Sequence, residues 1–394
     1  MKAGWQTKTL GEILEKTETT NPLQSPEVEF EYIDVSSVSN STFQIEETQT
    51  LKGKDAPSRA RRLVKINDVL FATIRPTLRR IAIVPEYLNK QVCSTGYFVL
   101  RPKPEIDHRF LFYWLFTEDF MGAMEQLQKG ASYPAVTDAE VRAQTIPFPH
   151  LPEQQRIVAI LDDAFDGIAT ARANAEQNLQ NARALFESHL QCVFTQRGEG
   201  WVEKTIGEIC ILRSGTTLPP ALEKPVGEIP YLKVADMNIS ANSNGITCSS
   251  RYVNKSDVNA SNLLPVGTTI FPKRGGAILT NKKRLTTRLI CADLNIMGVT
   301  PKSRLLPELL FYYFLRLDLR EINNGSSIPQ INNYSIEPLL ISFPESIKEQ
   351  QTIVAKLDTL REETQRLESL YQRKLAALDE LKKSLLHQAF SGVL

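Results

Sequence analysis

Glu153-Gln154-Gln155-Arg156-Ile157-Val158-Ala159 returns 196 residues later as Glu349-Gln350-Gln351-Thr352-Ile353-Val354-Ala355. The opening of the chain repeats at the same offset. Trp5-Gln6-Thr7-Lys8-Thr9-Leu10-Gly11-Glu12-Ile13 becomes Trp201-Val202-Glu203-Lys204-Thr205-Ile206-Gly207-Glu208-Ile209. Between these landmarks Phe112-Tyr113 matches Phe311-Tyr312, and Phe148-Pro149 matches Phe343-Pro344. Gly130-Ala131-Ser132-Tyr133-Pro134 matches Gly325-Ser326-Ser327-Ile328-Pro329. Agreement at so many places, in one order, makes the chain two copies of one unit of about 196 residues.

Each copy has two parts of different character. Residues 1–150 and 199–346 carry short β-type runs between turn residues, such as Phe30–Val35, Asp68–Ala72, Ile81–Val84, Gly96–Leu100, Ile229–Val234 and Thr269–Phe271. A helical aromatic stretch follows in each, Arg109–Phe116 and Glu308–Leu315. Residues 151–198 and 347–394 instead run almost without proline. The second holds Ile353, Leu357, Leu360, Thr364, Leu367, Tyr371, Leu375, Leu378, Leu381 and Leu385 at close to alternating steps of three and four, a coiled-coil stripe. The first is richer in alanine and is interrupted by Gly167. The expected fold class is α+β: two mixed α/β globules related by an internal repeat, joined by two long helices. Each helix is about 60 Å long, more than one small globule can bury. The pair is therefore expected as an antiparallel coiled coil with pseudo-twofold symmetry.

Composition narrows the function classes. The 394 residues hold 46 Lys+Arg against 45 Asp+Glu, a net charge of +1, so any polyanion site must come from local clustering. Cys93, Cys192, Cys210, Cys248 and Cys291 are odd in number and never form a CxxC pair. This points to a reducing compartment, hence the cytoplasm, and to no thiolate zinc site. The N-terminus lacks an apolar core of the signal-peptide kind, and no apolar run is long enough for a membrane span. His108, His150, His189 and His387 are scattered, so no metal site is expected. No phosphate-cradling glycine loop or nucleophile elbow occurs. The reading is of a chain without catalytic residues or a cofactor of its own.

Charge becomes informative when read locally. Lys52 to Lys90 holds ten basic residues against three acidic ones, and Lys273 to Arg304 holds eight against one, a net of +7 in each. Arg75, Arg79, Arg80 and Lys90 of the first cluster and all of the second follow the same strand, at Leu70-Phe71 and at Ile270-Phe271. Lys and Arg neutralise DNA phosphates, and Arg forks can also read guanine. The candidate DNA-binding residues are accordingly Arg59, Arg61, Arg62, Arg75, Arg79 and Arg80 in the first copy. Those of the second are Lys273, Arg274, Lys282, Lys283 and Arg284. Ser132 and Ser327 join them, because small hydroxyl residues after a glycine can approach a phosphate backbone closely. The aromatic stretch Phe110–Phe116 reads as core.

The repeated Phe-Pro…Glu-Gln-Gln…Ile-Val-Ala…Leu-Asp segments, at 148–162 and 343–358, resemble the specificity subunit of a type I restriction–modification system. So do the Trp-x2-Lys-Thr-x-Gly-Glu-Ile openings and the ending Leu386–Gly392. The resemblance implies that each globule reads one half of a bipartite double-stranded DNA target. It implies that the helices set the unread gap and dock two methyltransferase (M) subunits, with Glu153, Gln154, Gln155, Glu349, Gln350 and Gln351 as the docking residues. S-adenosylmethionine, ATP and magnesium would then belong to partner subunits, among them a motor–nuclease (R) subunit. The alternative from another class is a two-fold coiled-coil scaffold whose globules bind proteins.

Overall fold

In the computed structural model, which describes residues 4–195, 198–323, 325 and 328–394, the strand Val69–Ala72 is buried at all four positions. Alternation explains this. Val69 and Phe71 enter a core with Phe98, Leu100, Phe110 and Phe120. Leu70 and Ala72 enter a second core with Ile33, Cys93, Tyr97 and Val99. A strand covered on both faces reads as continuous apolar sequence. The equivalent strand Thr269–Pro272 is also buried throughout, with Phe271 in one core and Ile270 in another.

The chain divides into two units, one made of residues 1–176 with 373–394, the other of residues 177–372. In the first, Val69–Ala72 lies between Ile81–Ile83 and Tyr97–Leu100 in a three-stranded antiparallel sheet. A four-stranded sheet has the order Gln49–Lys52, Glu29–Ile33, Val92–Ser94, Ala60–Leu63, with its two central strands parallel. In the second unit Thr269–Pro272 lies between Ile296–Pro301 and Arg284–Leu285. Its companion sheet again has a parallel central pair, Ile229–Leu232 with Ile290–Ala292.

The repeated opening of each copy pairs with the strand that leads into a long helix. Gln6–Thr9 pairs with Thr145–Phe148, and Trp201–Thr205 with Leu340–Pro344. Thr9 with Glu12 and Thr205 with Glu208 form capping boxes at the short helical turns that follow. Two main-chain donors satisfied reciprocally at the start of a helical turn explain why Thr and Glu keep that spacing in both copies.

The long helices run over Leu151–Thr195 and Ile347–Ser391, 45 residues each. The first continues through Gly167, whose missing side chain faces open space. Within each unit the two helix segments run antiparallel. In the first, Ile157 and Leu161 share a core with Leu386 and Ala389, while Arg172 pairs with Asp379 at 2.5 Å. In the second, Leu190 and Phe194 share a core with Val354 and Leu357, while Arg183 pairs with Glu368 at 2.8 Å. Phe110, Tyr113, Trp114 and Phe116 are core residues, as their helical spacing suggests. Among the described residues no helix is long and apolar enough to cross a membrane.

Candidate nucleic-acid interface

The basic turn and the Gly-x-Ser-x-Pro loop, far apart in sequence, meet in both units. In the first, the Arg75 backbone N–H donates to Pro134 O at 2.7 Å and Val136 N–H donates to Thr73 O at 3.0 Å. Ile74 and Ala135 pair between them. In the second, Gly275 N–H donates to Pro329 O at 2.8 Å and Ile331 N–H to Lys273 O at 2.9 Å, with Arg274 paired to Gln330. Two loops stapled by main-chain bonds form a stiffer presenting surface than either alone. Ser132 lies exposed on this staple. Ser327 lies outside the described residues.

The turn of the first unit carries backbone strain. Arg75 and Arg79, which flank Pro76–Leu78, have φ of +49° and +52° in the left-handed region. That region costs a residue with a Cβ about 1–2 kcal/mol. The second unit adopts the same conformation with residues suited to it, Gly275 at +67° and Asn281 at +52°. Both arginines are exposed, so packing does not account for them. Strain kept at an exposed position points to a role for the side chain. The Arg75 guanidinium lies 4.9 Å from the Tyr133 ring centre and donates to Ser132 O at 3.3 Å. Burial lowers the pKa of Lys382 on the C-terminal helix; Asp379 acts against this, and the charges of Arg172 and Arg79 add to the lowering, while Arg79 also acts on Lys383.

The candidate cations differ in how available they are. Arg59 is exposed. Arg61 is half-buried and donates to the carbonyl of Ala60. Arg62 is bound to Asp138 at 2.8 Å. Arg80 donates to the carbonyls of Val35, Ser36 and Val38, which fixes the turn at Val35–Ser37. Lys282 does the equivalent work in the second unit, bonding Asn238 in the turn Val234–Asn238. Lys283 is only 2% exposed, and its ammonium donates to Leu317 O and Asn281 Oδ1. It stands one residue before the strand Arg284–Leu285, opposite Phe271 if the register continues, as the core residue Ile81 stands opposite Phe71. Burial therefore removes Lys283 from any direct DNA contact in this conformation. Arg284 is half-buried and donates to Lys283 O at 2.8 Å. Lys273 bonds Ser214 at 2.7 Å, and Arg274 is exposed. Outside the candidate set, Lys52 and Lys54 pair with Glu27, and Lys65 with Glu18.

The Glu-Gln-Gln segments sit where each long helix leaves its globule, and their central residue is wholly buried in both. Gln154 accepts from Asp107 N–H at 2.9 Å and donates to Glu105 O and Pro149 O at 3.0 and 2.9 Å. Gln350 accepts from Leu306 N–H at 2.9 Å and donates to Arg304 O and Pro344 O at 2.9 and 2.8 Å. A buried primary amide with its oxygen and both N–H groups engaged is a clamp rather than a docking residue. Glu153 pairs with Arg156 at 2.7 Å, and Glu349 accepts from the Trp201 indole at 3.1 Å. Gln155 and Gln351 are exposed. Two turns on, Tyr113 donates to Asp162 and Tyr312 to Asp358, a second bond from globule to helix at equivalent positions. Among the described residues no cluster of three or more His, Cys, Asp or Glu side chains could hold a metal.

Residues 2–180 and 198–374 each match the family model of the type I restriction modification DNA specificity domain. The chain belongs to this family. The HindI specificity subunit of Haemophilus influenzae is 28% identical over 160 residues, which cover 40% of this chain and 34% of that protein. The chain thus spans about a third of that relative. Solved structures extend the likeness over the whole chain. The HsdS subunit from Thermoanaerobacter tengcongensis is 27% identical with a TM-score of 0.69, over 100% of this chain and 98% of that one. A chain from work on complex assembly and conformational transition of the type I R-M system is 26% identical with a TM-score of 0.87, over 98% of both. Within this specificity family the two domain matches coincide with the repeat read from the sequence.

Charge counting alone misses which cations this specificity chain holds internally, because Glu18, Glu27 and Asp138 come from outside the basic run. It also misses the two loop tips. Tyr133 is 71% exposed and Ile328 70%, large apolar side chains in solvent at equivalent positions. A bulky residue between small turn formers, twice in register, was the available signal.

Proposed function

We propose that this chain is the sequence-specific DNA-recognition subunit of a type I restriction–modification complex, without catalytic residues of its own. Residues 1–150 and 199–346 serve as its two recognition domains, each reading one half of a bipartite duplex target. Residues 151–198 and 347–394 set the unread gap and dock two methyltransferase subunits. S-adenosylmethionine, ATP and magnesium reside on partners, a motor–nuclease subunit among them, and the complex works in the cytoplasm.

The observation that carries the reading is the cationic turn stapled to the Gly-x-Ser-x-Pro loop at the same place in both units. Phosphate contacts position a protein on DNA, while base edges specify the site. Arg59, Arg75 and Arg79 in one unit and Arg274 in the other are the exposed candidates for these contacts. The half-buried Arg61 and Lys273 flank them, and Ser132 adds to the surface on the adjoining loop; Ser327 lies outside the described residues. The docking role falls to the exposed Gln155 and Gln351 together with Glu349, with Gln154 and Gln350 holding the helix in place.

The test is binding of duplex DNA by the chain purified with its methyltransferase subunit. Affinity should fall steeply with added salt, and the chain alone should transfer no methyl group. Methyl transfer by the pure chain, or DNA affinity indifferent to salt, would overturn the proposal.

A further inference from the structure

Tyr133 has no packing reason to be where it is. Its ring is 71% exposed at the tip of a loop that begins at Gly130, whose φ is +109°. The loop is closed by paired main-chain bonds between Lys129 and Ala135 at 2.9 Å and stapled to the basic turn at Arg75. One ring face is covered by the Arg75 guanidinium at 4.9 Å, which a strained backbone delivers there. A cation over one face holds the ring in a defined orientation. In the second unit Ile328, 70% exposed, stands directly before Pro329 as Tyr133 stands before Pro134. Gly275 stands where Arg75 stands and brings no guanidinium.

We infer that Tyr133 and Ile328 are base-contacting tips, each meeting a base step of the half-site that its own unit reads. The inference rests on the DNA-recognition reading and adds to it the residues that confer specificity beyond charge. Apolar side chains carried by cationic loops act on duplex DNA by wedging at a base step or covering a thymine methyl. The two tips differ in chemistry, a flat ring braced by arginine against a branched aliphatic chain. The two units are therefore expected to prefer different steps. Removing a good stacking or apolar contact costs roughly tenfold or more in discrimination.

The experiment is methylome sequencing in a methylation-free host that carries the chain and its methyltransferase subunit, with Tyr133→Ala, Tyr133→Phe and Ile328→Ala compared with the unaltered chain. Tyr133→Ala should relax one position of one half-site by about tenfold and leave the other half unchanged. Tyr133→Phe should keep the original motif. Ile328→Ala should relax the opposite half. Both tips are exposed, so melting temperatures should stay within a few degrees, which separates lost reading from lost folding. An unaltered motif at full methylation in both alanine variants would overturn the inference while leaving the DNA-recognition role standing. Absence of any motif with the unaltered chain would overturn that role itself.

Discussion

Arg79 holds a left-handed backbone at which the second unit uses asparagine. Arg79→Asn should therefore leave stability equal or raise it by up to about 1 kcal/mol, while lowering DNA affinity and the slope of its salt dependence by about one unit. An unchanged salt slope would remove Arg79 from the contact list. Arg80→Ala should do the opposite, lowering the melting temperature because the Val35, Ser36 and Val38 carbonyls lose their shared donor. Gln154→Leu removes the partner of three main-chain groups, one buried and two part-buried, and should cost about 2 kcal/mol, read by denaturant unfolding, whereas Gln155→Ala should cost little. Lys283 adds a pH dependence. Burial lowers its pKa from 10.5 to about 8, with Asp318 acting in the other direction. Between those values the unfolded chain binds more protons than the folded one, so this residue's contribution to stability rises with pH. The stability advantage of Lys283→Met over the unaltered chain should accordingly shrink from pH 8 to pH 10. Parallel curves would show that burial does not lower the pKa of this lysine, which would then keep its charge in the folded chain. At this scale the sequence located both cationic turns, but not which cations are available. Glu18, Glu27 and Asp138 lie outside the basic run, and a count within the run cannot see them.

Helices and strands were more legible, because burial periodicity shows directly in the residues. The stripe read from Ile353 to Leu385 holds at Leu357, Leu360 and Thr364, all buried or half-buried. It drifts near the end of the helix. Leu381 is 46% exposed while Leu386 and Ala389 are buried, because there the helix presents its apolar face to the core of the first globule as well as to Ile157 and Leu161 of the other helix. A heptad reading assumes one partner along the whole length, so it could not anticipate this change of face. Leu357, fully buried in the core of the second unit, should cost about 3 kcal/mol when replaced by Ala. Gly167 faces open space in an unbroken helix, so Gly167→Ala should stabilise by up to about 1 kcal/mol. A loss of stability in that variant would mean that the helix needs flexibility at this position. The aromatic stretch Phe110–Phe116 was readable as core for the same reason of spacing. The Tyr113–Asp162 and Tyr312–Asp358 bonds were not, since they join residues about half a hundred positions apart.

For the whole molecule the repeat did most of the work. Two family matches, paired capping boxes and two equivalent clamps all follow the offset first seen in Glu-Gln-Gln. If the helices set the unread gap, inserting four residues near Ala173, about 6 Å of helix, should lengthen that gap and leave both half-sites unchanged. Exchanging residues 1–150 for another recognition domain should alter one half-site only. The most direct test of the central claim is the methylome of a methylation-free bacterial host carrying this chain with its neighbouring methyltransferase subunit, against the same host with the methyltransferase alone. A bipartite motif, with an unread gap, should be methylated only when this chain is present. The same methylation pattern with and without it, from soluble and associated proteins, would contradict the account and favour a scaffold whose globules bind proteins.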